Sequence, residues 1–396
     1  MKILFLSHRI PWPVRDGGAL AIHNNLKGFV EAGHQVKFLA LNPKKDHTSL
    51  QGTPNYFQKA EAEVIDIDTD VHPFAAIKNL FGSASYHVER FYSAQFEHRL
   101  THQLISQSYD VVHMEGTYIA QYAPLIRRVN KTACLVLREH NVEYRIWEQM
   151  AQLSTNFFKQ AYLGILASRL KKYEEKLWTH VDMIEAISPD DLEVFQSFNS
   201  GAFLGSAGFD LDEYLREEKE PESHTLFHLG SMDWLPNRQS IEWLLNEVWP
   251  VIHREFPTWK LRLAGKKMPE DWIRDVGVVK IEGEVPSAVE YMANYQVMIV
   301  PLLSGSGIRI KTIEAMAMGK TVISTSVGIR GLGVEPGKDF LLADNPREFV
   351  LAIQRLENEP DLAKELGLSA RQKMELLFKN ENHIARLIEK YRNCRP

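Results

Sequence analysis

Short apolar runs of strand length alternate with amphipathic stretches of helix length along nearly the whole chain, and the alternation breaks once. KILFLS, HQVKFLAL, AEVIDI, YDVVHM, TACLVLRE and VDMIEAIS come first. After residues 211–224, LDEYLREEKEPESH, which hold few aliphatics, come TLFHLGSM, WKLRLAG, VVKIEG, QVMIVPL and KTVIST. Runs apolar almost throughout, with helices between them, mark parallel strands covered on both faces. The stretches between carry the helical period: Ile22, Leu26, Phe29 and Val30 form one stripe that stops at Gly33, and Ile241, Leu244, Leu245, Val248 and Ile252 form another. The chain therefore reads as α/β, with two doubly wound domains over residues 1–210 and 211–379. The tail, residues 380–396, contains an amphipathic helix, KNENHIARLIEKY, whose period leaves open whether it crosses back to the first domain. Ligands of doubly wound sheets bind at the carboxyl ends of the strands, so two such domains make a cleft.

Composition narrows the class. A chain of 396 residues exceeds one ordinary core, and 44% hydrophobic with 24% charged residues describes a soluble globular protein. A net charge of −5 gives no global attraction for nucleic acid. Cys134 and Cys394 stand far apart and read as neither a disulfide framework nor a thiolate metal site, hence as a reducing compartment. MKILFLSHRIPWP opens as a strand rather than a signal peptide, and no run reaches the ~18–20 apolar residues of a membrane span. The expectation is a cytoplasmic protein, with a peripheral contact at the inner face of the membrane left open.

The densest chemistry lies in SGSGIRIKTIEAMAMGKTVIS, residues 304–324. A glycine loop follows the strand QVMIVPL and leads into a helix, whose N-terminal amides and dipole favour an anion. Arg309 offers a planar fork of donors and Lys311 a compact charge, a pairing suited to a diphosphate. Glu314, one turn on, cannot bind phosphate but can accept from the two hydroxyls of a ribose. Together they suggest a nucleoside diphosphate. The plain alternative is an exposed helix start with a Lys311–Glu314 surface pair, worth ~0.2–0.5 kcal/mol.

EAMAMGKTVIST resembles the signature of glycosyltransferase family 4, and HLGSMDWLPNRQSIEWLLNEVWPVI resembles the first strand, loop and helix of that family's donor domain. The order of elements matches over nearly the whole chain. The resemblance implies a GT-B fold, two Rossmann-like domains facing across a cleft, the first for the acceptor and the second for the donor. It implies retaining transfer from a nucleoside diphosphate sugar to a glycan or lipid-linked acceptor, with no metal and no cofactor. Glu314 matches the ribose-binding glutamate. Gly17 and Gly18 in RDGGAL match a glycine loop that reaches the donor phosphates, and Asp16 beside them goes with the acceptor. Gly230, Gly265 and Gly283 fall in donor-side loops, as do Ser306, Gly307 and Ile308.

Several positions depart from the family pattern. Ser306 stands where many members have a second glutamate on the transferred sugar. Ser231 and Asn237 replace a customary arginine and lysine, which leaves Arg309 and Lys311, in a G-x-R-x-K variant of the loop, as the cations that stabilise the leaving diphosphate. Glu115 replaces a sugar-facing histidine at the end of YDVVHME, and reads either as a catalytic carboxylate or as a cap of the next helix. Arg138 and His140 in REHN follow the next strand and could face the acceptor. Two rival functions remain: a nucleotide-sugar epimerase, and a non-catalytic nucleotide-sugar-binding protein.

Other motifs read as bland. DIDTD, Asp66 to Asp70, has the D-x-D text of a metal site but lies remote from the donor signature, and His113 with Glu115 or His140 with Glu143 lack a third ligand. The stretch 154–178, with Phe157, Phe158 and a Lys171–Lys172 pair, fits packing on the first sheet better than a membrane surface, because Glu174 and Glu175 dilute its basic character.

Overall fold

The computed structural model describes residues 1–70, 85–154, 156–205, 207–214, 220–305 and 308–394. The chain divides into two compact units: Met1–Phe209 with Asn380–Pro396, and Asp210–Lys379.

The first unit holds a seven-stranded sheet in the order β3-β2-β1-β4-β5-β6-β7. Its strands are β1 (Lys2–Ser7), β2 (Gln35–Pro43), β3 (Glu63–Ile67), β4 (Val111–Glu115), β5 (Cys134–Glu139), β6 (Met183–Ala186) and β7 (Ala202–Leu204), all parallel. Every residue of β4 and β5 is buried, as continuous apolar runs between helical layers require. The helix Gly17–Glu31 is capped by Asp16, whose side chain accepts from the Ala19 amide, and buries Ile22, Leu26 and Phe29.

The second unit repeats the plan with β8 (Glu222–Leu229), β9 (Lys260–Ala264), β10 (Arg274–Asp275), β11 (Val279–Ile281), β12 (Tyr295–Val300), β13 (Thr321–Ser324) and β14 (Leu341–Leu342). Their order is β10-β11-β9-β8-β12-β13-β14, parallel except for the β10–β11 pair. Strand β8 begins inside the stretch read as linker, which is therefore shorter than its composition suggests. Residues Leu211–Tyr214 form a 3-10 turn.

The terminal helix Asn380–Arg392 belongs to the first unit. Its Ile384, Leu387, Ile388 and Tyr391 join the core around Phe5, Phe29 and Phe38, and full burial of such side chains contributes roughly 1.5–3 kcal/mol each. The Tyr391 hydroxyl donates to His113 Nδ1 at 2.8 Å. This packing also corrects the reading of the cysteines. Cys394, at the end of that helix, meets Cys134, the first residue of β5, and the two form a disulfide with a Cα–Cα distance of 6.1 Å. Cysteine usage therefore no longer argues for a reducing compartment.

Close helix contact depends on Gly28, where a Cβ would lie 2.7 Å from Asn380 Nδ2 and 2.5 Å from Ile384 Cγ1, whereas a Cβ on Gly164 would meet nothing within 4 Å. Gly28→Ala is expected to lower stability by about 1–3 kcal/mol through overpacking. Gly164→Ala, in an open helical position, should raise it by about 0.5–1 kcal/mol. Urea unfolding measures both, and shifts of the same sign would contradict this packing.

Candidate functional site

In the second sheet the winding reverses between β8 and β12, so the loops that follow these neighbouring strands diverge and leave a crevice at their carboxyl ends. The sequence-predicted glycines of this side stand together. The Gly230 amide donates to the Ala264 carbonyl at 3.1 Å and the Gly265 amide to the Gly283 carbonyl at 3.0 Å. A Cβ on Gly265 would strike the Gly230 carbonyl. Here the missing side chains have a packing cause, the close passage of two strand ends. Asn237 Nδ2 donates to the Ser231 carbonyl at 3.0 Å and Ser231 Oγ donates to Asp233. The residues that replace the customary cations thus hold the shape of their own loop.

Arg309 sits on the loop after β12, at the N-cap position of the helix Ile310–Ala317, and is 8% exposed. Its Nη2 donates to the Gly305 carbonyl at 3.0 Å, and its guanidinium lies 5.4 Å from the centroid of the Trp234 ring. Such cation–π contact holds the charge without neutralising it. Gly305 has a φ of +123°, and a Cβ there would come 2.8 Å from the Trp234 ring. Arg330, exposed after β13, is a second cation beside the first: burial and the nearby Arg330 charge together push the Arg309 pKa down. Ile308 is half-buried on the same loop, while Ser306 and Gly307 lie outside the described residues.

Lys311 and Glu314 meet each other. Lys311 Nζ is 2.6 Å from Glu314 Oε2, and the Tyr214 hydroxyl donates to Glu314 Oε1 at 3.1 Å. The lysine is half exposed and the glutamate nearly buried, so this is not the fully solvated surface pair of the plain reading. The two oxygens of Glu314 each accept one hydrogen bond, the pattern that two ribose hydroxyls would supply. Sequence reasoning missed Trp234, Arg330 and Tyr214. Arg330 follows the strand KTVIST closely enough to have been found by its position; Tyr214 lay hidden in the charged stretch.

In the first unit the winding reverses between β1 and β4, and Glu115 ends β4 at that point. The structure does not place it at a surface. Glu115 is fully enclosed: His113 Nε2 and His140 Nε2 each donate to it at 2.9 Å, Asn25 Nδ2 donates at 3.3 Å, and Arg138 Nη1 lies 3.6 Å away. Burial alone would raise its pKa. The Arg138 charge and the two histidine hydrogen bonds outweigh that and hold the carboxyl well below the usual range. Arg138, also enclosed, donates from Nε to Glu185 at 2.9 Å, so it is an internal counter-ion rather than an acceptor ligand. Both corrections share one cause, since the last residues of a central parallel strand are still inside the sheet.

His140 is the member of this network that reaches the outside, with 18% of its side chain exposed. An ionised carboxylate only accepts, so the proton on the Glu115 side is carried by Nε2. The other ring nitrogen, Nδ1, lies 3.6 Å from where a Cβ on Gly18 would stand. Asp16 caps the helix that Gly17 begins and forms a bidentate pair with Arg9 at 2.7 and 2.9 Å. Burial would raise the Asp16 pKa, but Arg9 and the Ala19 and Gly18 amides together lower it. Arg9, Asp16, Gly18 and His140 thus form one polar group, and Asp16 serves the helix before it serves any ligand. The D-x-D carboxylates are engaged locally: Asp66 accepts from Asn42 at 2.8 Å and Asp68 pairs with Lys44 at 2.8 Å.

The two mostly parallel Rossmann-like sheets match the GT-B fold of solved glycosyltransferases. Sucrose-phosphate synthase from Thermosynechococcus elongatus superposes with a TM-score of 0.65 at 16% identity, covering 99% of each chain. HepE of Anabaena, solved with UDP, gives 0.64 at 14% identity over 99% of this chain and all of its own. The catalytic domain of starch synthase IV from Arabidopsis thaliana, solved with ADP and acarbose, gives 0.59 at 13% identity over 99% of each. Residues 223–359, most of the second unit, match the family model of glycosyl transferases group 1. That domain and the GT-B fold together support a glycosyltransferase. A Klebsiella pneumoniae protein described as an uncharacterized 44.6 kDa protein in the cps region is 24% identical over 384 residues, 93% of this chain and 94% of its own length.

A buried acid pair joins the end of β5 to the helix Phe157–Trp178. Thr117 Oγ lies 2.8 Å from Glu139 Oε1 and 3.1 Å from Glu174 Oε1. Burial pushes Glu139 well above the usual carboxylate range and Glu174 from 4.5 up to about 8. Raised carboxyl pKa values favour the folded chain while the groups are protonated, so this contribution is full below pH 4.5 and is lost as the pH climbs through about 8. Glu139→Gln removes a charge and keeps the shape. Denaturant unfolding across that window should show stability falling in the wild type and a flatter profile in the variant. Identical slopes would contradict the assignment.

Proposed function

We propose that the protein is a retaining, metal-independent glycosyltransferase that moves a sugar from a nucleoside diphosphate sugar to a hydroxyl of a glycan or lipid-linked glycan. The observation that carries this reading is the gathering of Arg309, Arg330, Lys311 and Glu314 around one helix N-terminus at the winding reversal of the second sheet. Arg309 and Arg330 crowd two positive charges at one loop, and an anion between them would relieve their repulsion. Glu314 holds the ribose diol in place of Lys311 and Tyr214, and Lys311 is then released toward the phosphates.

The difficult step is cleavage of the bond between the anomeric carbon and the phosphate oxygen, which leaves negative charge on the diphosphate. Fixed donors aimed at that charge, namely the Arg309 fork, the Lys311 ammonium and the first amides of the helix Ile310–Ala317, lower its cost without reorganising during reaction. With retention by front-side attack, the departing phosphate oxygen takes the proton of the acceptor hydroxyl and no protein base is needed. Glu115 then acts indirectly: it fixes the tautomer of His140, whose Nδ1 accepts a hydrogen bond from a substrate hydroxyl. Gly17 and Gly18 let substrate approach the helix start closely.

HepE with UDP or UDP-glucose and starch synthase IV with ADP make uridine and adenosine diphosphates the first donors to test. The relative in a cps region supports a place in polysaccharide synthesis. UDP, GDP, ADP and CMP should be compared by thermal shift. One diphosphate is expected to stabilise the wild type, by about 2.7 kcal/mol at a hundred times its dissociation constant, and Lys311→Ala and Glu314→Ala should each reduce the effect, to about 1.4 kcal/mol for a ten-fold weaker site. No response to any nucleotide would overturn the donor site. Incubating the sugar nucleotide alone in heavy water separates the epimerase, which alone would exchange a carbon-bound proton.

A further inference from the structure

The helices Glu143–Gln152 and Phe157–Trp178 pack on each other in the first unit, and the second is apolar on two opposite sides. Leu163, Leu166, Leu170 and Leu177 form the buried stripe. At about 100° per residue, Phe158, Ala161 and Ile165 fall on the far side, and all three are exposed. The first helix adds Ile146, Met150 and, just past its end, Leu153, another exposed stripe at helical spacing. Where the two helices meet in sequence, Leu153 and Phe157 are each 74% exposed and Phe158 is 82% exposed. Large apolar side chains exposed together where two helices adjoin mark an interaction surface.

Charge decides which partner it fits. The protein as a whole is net negative at −5, yet from Phe157 to Tyr173 the helix carries Lys159, Arg169, Lys171 and Lys172 and no carboxylate. Lys159 and Lys172 are exposed, and Lys172 continues the outer stripe of Phe158 and Ile165. Aromatic and aliphatic side chains on one face, bordered by lysine and arginine, suit the boundary between anionic headgroups and acyl chains. We propose that this helix pair docks the protein on an anionic lipid bilayer, with Leu153, Phe157 and Phe158 entering the headgroup layer and Lys159 and Lys172 meeting lipid phosphates. Of the two carboxylates that follow, Glu174 is buried and takes no part in that surface, while Glu175 is half-buried.

The test is cosedimentation of the full chain with vesicles of phosphatidylcholine alone and of phosphatidylcholine mixed with phosphatidylglycerol. Wild type should sediment with the mixed vesicles and much less with the neutral ones. Phe157→Ser with Phe158→Ser should weaken partitioning by about ten-fold or more, since each buried phenyl is worth at least a factor of that order. Lys159→Glu with Lys172→Glu should remove the preference for the anionic lipid. All these positions are exposed, so an unchanged melting temperature checks that the variants fold. Failure of the wild type to bind, or equal binding by the phenylalanine variant, overturns the proposal. So does a wild-type dimer in light scattering that the phenylalanine variant dissolves, because a second copy would then own the face. The outcome is independent of the donor reading, which is tested by nucleotide rather than by lipid.

Discussion

The crevice of the second sheet exists because the sheet changes its direction of winding between β8 and β12. Neighbouring strands whose connections run to opposite sides cannot both cover the edge between them. The backbone there must also be thin: the Gly230 carbonyl occupies the place a side chain on Gly265 would need. Given that edge, the loop after β12 has to turn into the helix Ile310–Ala317 beside the crevice; Lys311 and Glu314 are placed by the first turns of that helix, and Arg309 stands at its N-cap. Trp234 from the other loop closes over Gly305 and Arg309. Positions set by helix and sheet geometry are more rigid than positions on loops, which is what electrostatic stabilisation of a leaving group requires.

The two units share this topology and treat charge in opposite ways. In the first, Glu115 and Glu185 flank Arg138, His113 and His140 donate to Glu115, and the terminal helix completes the set through Tyr391 and through His383, which donates to Asn25 at 3.0 Å. Deleting one partner of such a network would leave a buried charge unpaired, a cost that usually reaches several kcal/mol. The last helix of the chain adds hydrogen-bond partners to this network as well as apolar packing. In the second unit the Arg330 charge lies near Arg309, and Lys311 pairs with Glu314.

The alternation of apolar runs with helical stripes made the fold class legible, because both faces of a parallel sheet must be covered and the period switches at each element. Strands β7, β10 and β14 were not legible, since two or three residues carry no period, whereas the equally short β11 lies in the longer apolar run VVKIEG. Arg309, Lys311 and Glu314 could be read from spacing, as they share one helix start. Glu115 and Arg138 could not be read correctly: a charged residue at a strand end looks like a crevice residue until the helices that enclose it are known. The Tyr214 contact and the Cys134–Cys394 bond join residues through tertiary packing, across 100 and 260 positions. The helix 157–178 shows the same limit from the other side, since its sequence contains two apolar stripes and only the packed structure says which one is covered.

The central claim is that the cations around the loop after β12 bind the second phosphate of the donor. Titration calorimetry with UDP and with UMP, on wild type, Lys311→Ala and Arg330→Ala, measures that contribution directly. The account predicts that wild type prefers UDP, and that each variant loses about ten-fold of that preference, the scale of one charge-assisted contact, while UMP affinity stays the same. If both nucleotides weaken equally, or the preference survives in both variants, the diphosphate lies elsewhere and the site has been misassigned.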